Sequence, residues 1–123
     1  MTTPDNDLGR TTEHLIALSD DDLYLELGNV ILGLGPGASP KDPEANRRFG
    51  LQWFNSRREQ FQQTVCSNER VIAIRRSSDS EQLIAVATIA DALMAIVGLP
   101  ASTVVSILII RLGLDSYCDR YWS

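Results

Sequence analysis

His14 is the one histidine of the chain, and Cys66 and Cys118 are its two cysteines. A nucleophilic dyad would have to draw on these three residues, because a thiol attacks well only when a base or a positive charge favours its thiolate. Their settings argue for another role. His14 lies in a polar N-terminal stretch, and both cysteines fall in expected helices near aromatic residues, where a cysteine packs as a small hydrophobe. One histidine cannot build a typical zinc site, and two cysteines do not make the framework of a small secreted disulfide domain. Asp20, Asp21 and Asp22 lack the alternating spacing and the glycine of a calcium loop. Three anions opening a helix serve its positive dipole end instead. The expectation is no catalytic residue, no metal ligand and no cofactor.

Two short patterns invite nucleotide or DNA readings. Gly33-Leu34-Gly35-Pro36-Gly37 is rich in glycine, but a phosphate loop follows a strand and ends in Gly-Lys-Ser/Thr at a helix start. This stretch follows a helix, and Lys41 comes after Pro40. Helix termination accounts for it. Between Ile89 and Leu108, the positions of Leu93, Val97, Gly98, Leu99, Thr103, Val104 and Leu108 resemble the apolar, glycine and Thr-Val sites of helix-turn-helix units. Base readout needs Arg, Lys, Asn or Gln on the second helix. The expected outward positions are Ala101, Ser102, Val105 and Ser106, with Arg111 the one cation, and Met94 stands where a small residue is usual. The pattern predicts the geometry without the readout.

What remains is interface chemistry. The arginine pairs Arg47/Arg48, Arg57/Arg58 and Arg75/Arg76 flank a segment that holds all three phenylalanines and one of two tryptophans. Arginine and aromatic residues are enriched at binding hot spots. Tyr117, Tyr121 and Trp122 form a second aromatic group, either stapled onto the core or offered to another chain. The expected partner contacts are Arg47, Arg48, Arg57, Arg58, Tyr121 and Trp122.

The elements that must hold these residues read as helices. Ser19 is a good N-cap, with Leu18 and Leu23 placed for a hydrophobic staple. Leu23, Leu27, Val30, Ile31 and Leu34 then make one apolar stripe. Asp42 caps a second helix with Pro43 at N1, its apolar side being Phe49, Trp53, Phe54, Phe61 and Val65. Val71 to Ile74 fits either a short strand or a helical turn capped by Ser67 or Asn68; helix is preferred because no second strand exists to pair with it. Residues 83–110 contain a single charge, Asp91. Gly98-Leu99-Pro100 divides that run into pieces shorter than the ~20 residues a bilayer needs, and Thr88 with Asp91 gives the first piece a polar side. The second piece is apolar all round, so it is either fully buried or half-covered by a partner. Gly113 ends it before a short terminal helix.

The predicted fold is all-α, a compact single-domain bundle of about five helices near 20–33, 43–66, 81–97, 101–112 and 114–121. Its C-terminal half is a helix-turn-helix-like apolar hairpin. Residues 1–10 are expected to be a flexible N-terminal segment and 11–123 one helical domain. The 123 residues suit one domain, and 44% hydrophobic with 22% charged residues is a globular composition. A net charge of −5 argues against nucleic-acid or anionic-membrane partners. That charge is uneven: −6 over residues 1–40, +4 over 41–76 and −3 over 77–123.

With no leader-like opening, the expected location is cytoplasmic. The expected function is a non-enzymatic interaction or adaptor module, homo-oligomerising or docking on a larger effector protein, in keeping with a general resemblance to small bacterial helical proteins. The alternatives are a helix-turn-helix regulator and a small cysteine-dependent enzyme.

Overall fold

A computed structural model describes residues 12–34, 41–76 and 82–122. The N-terminal segment expected to be flexible, residues 35–40 of the glycine-rich stretch and the serine-rich residues 77–81 lie outside the described residues. Every regular element described is helical, so the all-α class holds. In chain order they are α1 (residues 12–16), α2 (Asp20–Ile31), α3 (Pro43–Ser56), α4 (Arg58–Cys66), α5 (Glu69–Arg76), α6 (Gln82–Val97), α7 (Ala101–Leu112), α8 (Leu114–Tyr117) and α9 (Asp119–Trp122).

The caps act as their residue types require. Asp22 N–H donates to Ser19 Oγ at 3.1 Å, and Ala45 N–H donates to Asp42 Oδ1 at 3.1 Å. Asn68, rather than Ser67, caps α5: its Oδ1 accepts from Arg70 N–H and Val71 N–H. Val71 to Ile74 is therefore helical, with Val71 in the core.

Two expected helices are broken. The stretch read as continuous over 43–66 leaves helical geometry at Arg57, where Ser56 Oγ donates to Trp53 O at 2.8 Å. Seven residues of straight helix advance about 10 Å, yet the Phe54 and Phe61 rings stand 6.0 Å apart. The bend brings both rings into one core, each 2% exposed or less. The terminal stretch breaks likewise at Cys118, between α8 and α9.

α2 and α3 cross at unusually short range. A Cβ on Gly28 would lie 2.0 Å from Asn46 O, and one on Gly50 would lie 2.0 Å from Tyr24 O. Glycine in a helix interior costs about 1 kcal/mol relative to alanine, and here the two backbones can meet only without side chains. The polar pair at the crossing is satisfied, with Asn46 Nδ2 donating to buried Asn29 Oδ1 at 2.9 Å.

α7 is the axis of the core. Residues 101–109 are all buried, packed by α6, α2 and α8. Of the two alternatives for an all-round apolar helix, complete burial is the one observed. The expected outward positions Ala101, Ser102, Val105 and Ser106 require correction, since none is more than 2% exposed. Ser106 stays satisfied inside by donating to Ser102 O at 2.6 Å. Arg111, at the solvent end of α7, donates to Asp20 Oδ1 at 2.9 Å and to Ile16 O at 2.6 Å, tying α7 to the start of α2.

Candidate functional site

The expected contact residues separate into two places. Arg47 and Arg48 sit on the first half of α3. Arg47 donates twice to Glu44, at 3.0 and 2.5 Å, and lies 3.7 Å from Asp21. Arg48 is 3.7 Å from the same Glu44 and remains largely exposed. The hydrogen bond from Arg47 holds the Glu44 carboxyl below its ordinary range. Much of the arginine charge in this half is thus paired within the chain.

Arg57 and Arg58 mark the bend between α3 and α4, where Arg58 meets the C-terminal residues. The Arg57 guanidinium lies 4.6 Å over the Trp53 ring, and that of Arg58 lies 5.5 Å over Tyr117. Gln62 Nε2, buried, donates to Tyr117 O at 2.9 Å, and Trp122 Nε1 donates to Cys66 O at 2.8 Å. Tyr117 belongs to the core at 2% exposure, and burial raises its phenol pKa above the ordinary value. Trp122 is half-buried, while Tyr121 keeps 41% of its surface in solvent.

Between these walls lies a polar cleft of about 580 Å³, lined among others by Asn55, Arg58, Glu59, Gln62, Asp119 and Arg120. Its two arginines stand beside two carboxylates, so it suits a mixed polar partner better than a simple anion.

Cys66 and Cys118 form a disulfide and are both buried. The expectation of separate small core thiols is therefore half right: they are core residues, but they are bonded to each other. A bonded sulfur offers no thiolate, and His14 is exposed on α1. Among the described residues, no group of three or more His, Cys, Asp or Glu side chains is placed to hold a metal ion.

The second candidate surface was not anticipated in the sequence. Leu83, Ile84, Ala87, Asp91, Met94 and Ala95 share the outer side of α6, followed by Leu99 in the turn to α7. Ile84 is 53% exposed, Met94 42% and Leu99 53%. Asp91, the one charge on this side, lies 3.6 Å from Arg70 of α5. Thr88, expected to contribute polarity here, donates its hydroxyl to Ile84 O within the helix. A shallow, mainly apolar groove of about 220 Å³ is lined by Ala87, Ala90, Met94, Leu99 and Thr103, with Thr12 of α1 also at its edge.

No protein family, curated protein or solved structure matches this chain. The two surfaces are therefore judged on their own chemistry. A recognition helix has to present a face to a DNA groove, and α7, which holds that place in the hairpin, presents none from Ala101 to Ile109. The exposed apolar side belongs to α6, and no helix among the described residues is long and apolar enough to cross a membrane.

Proposed function

We propose that this chain is a non-enzymatic protein–protein interaction module, self-associating or docking on a larger effector protein. The observation that carries the reading is the outer side of α6. Contiguous exposed apolar patches of this kind mark interaction surfaces. Covering the exposed portions of Ile84, Met94 and Leu99 would contribute about 1 kcal/mol each. Asp91 lies 3.6 Å from Arg70 with both side chains largely exposed, so a partner would have to accommodate this pair. Arg48, Arg57, Arg58 and Tyr121 are exposed and could contribute polar contacts away from this side, while Arg47 and Trp122 are engaged within the chain, by Glu44 and by Cys66 O.

Light scattering after size exclusion, with crosslinking and native co-purification, tests this reading. The wild-type chain is expected to form an oligomer or retain a partner. The variants Ile84→Asp and Met94→Glu are expected to lose that association with unchanged circular dichroism. A strictly monomeric chain that retains no partner would overturn it.

A further inference from the structure

The chain contains two cysteines, 52 positions apart, and the fold brings them together. Cys66 closes α4 and Cys118 lies between α8 and α9, with Cα atoms 5.5 Å apart. They are 2% and 0% exposed. The hydrogen bonds from Gln62 to Tyr117 O and from Trp122 to Cys66 O join the same two segments on either side of the sulfurs. The contacts around the bond thus complement the disulfide-bonded arrangement of the chain.

We propose that Cys66–Cys118 persists as a structural disulfide in the working protein, and that the chain accordingly folds and acts in a thiol-oxidising compartment. Two thiols and a disulfide oxidant, small-molecule or protein-borne, exchange to give the Cys66–Cys118 bond. The oxidant is reduced to two thiols and takes up the two protons and two electrons that the cysteines give up.

Burial is what separates this reading from a cytoplasmic redox switch. Sensor cysteines are accessible and carry thiolate character, whereas attack on either sulfur here requires the corner between α4 and α8–α9 to open first. Structural disulfides of this kind belong to oxidising compartments, and cytoplasmic thiols are kept reduced. The cytoplasmic expectation rested on the absence of a leader-like opening, and the cysteine count argued only against a multi-disulfide framework, not against one buried staple. The bond also sets the cleft: Arg58, Glu59 and Gln62 of its α4 wall face Tyr117 and Asp119 across a junction that the disulfide fastens.

The deciding measurement is the intact mass of the chain taken from its source cells by rapid acid quenching, then treated with iodoacetamide in denaturant without reductant. The expected result is no added carbamidomethyl group, with two added only after reduction. Two groups added without reductant, or a mixture of the two forms, would overturn the proposal. A second arm follows reduction of the purified chain in native buffer. Glutathione is expected to leave the bond intact until denaturant is added, and the Cys66→Ser/Cys118→Ser double variant is expected to melt lower by about 10–15 °C. Rapid native reduction, or an unchanged melting temperature, would argue against a structural role.

Discussion

α6 and α7 are neighbours in sequence, equally apolar to the eye, and packed against each other, yet they end in opposite situations. α7 is buried from Ala101 to Ile109, including two serines and a threonine. α6 buries Val86, Ile89, Ala90 and Leu93 and leaves Leu83, Ile84 and Met94 in solvent. The difference lies in what else reaches each helix. α7 is packed by α2 and α8 as well as α6, whereas the main helix contacts of α6 besides α7, with α4 and α5, leave much of its outer side exposed among the described residues. Apolar content therefore sets the affinity of a helix for cover, and the arrangement of its neighbours decides whether cover exists.

The sharpest way to break this comparison is to place the same charge on each helix. Ile107→Asp puts an unpaired carboxylate at a fully buried position, at a cost comparable to the total stability of a domain, about 5–15 kcal/mol. The expected outcome is no cooperative transition in a thermal melt followed by circular dichroism.

The next largest effect concerns the α2–α3 crossing, because α2 is also one of the covers of α7. Gly50→Ala drives a methyl group to 2.0 Å from Tyr24 O, so the helices must separate. Urea denaturation is expected to show a loss of about 1–3 kcal/mol. A gain, as helix propensity alone would give, would mean that the crossing is looser than described.

Arg111→Ala removes the tie from the end of α7 to Asp20 and Ile16 O. With both side chains partly in solvent, a loss of about 1 kcal/mol or less is expected from the same titration. Last comes the partner of the first test. Ile84→Asp on the exposed side of α6 is expected to change stability by no more than about 0.5 kcal/mol, and its readout is association. A large loss of stability in this variant would show that the outer side of α6 is covered within the chain.

Much of the local architecture was legible in the residues. Ser19 and Asp42 cap helices because their short polar side chains can accept from the first free N–H groups, while the choice of Asn68 over Ser67 for α5 came from the structure. The breaks at Arg57 and Cys118 were not legible. Neither position carries proline or glycine, and each break serves tertiary packing: the joint burial of Phe54 with Phe61 in the core, and the bond from Cys118 to Cys66, 52 positions away. Gly28 and Gly50 did carry a readable signal, since a glycine inside a helix calls for a packing reason.

The candidate sites divide along the same line. The arginine-rich middle segment was visible as charge. That Arg47 is engaged by Glu44, and that Arg57 and Arg58 lie on aromatic rings, depends on side-chain placement. The bare side of α6 was hidden because a stretch with one charge in 28 residues reads the same whether or not a neighbour covers it.

The sequence by itself determined the helical class, the capped starts of α2 and α3, the apolar hairpin and the uneven charge, all of which follow from interactions a few residues apart. Only the tertiary structure decided which apolar helix is enclosed, that the two cysteines meet, and which arginines are already engaged. Burial and pairing at these positions depend on residues tens of positions away, and no local pattern records which distant helix will arrive.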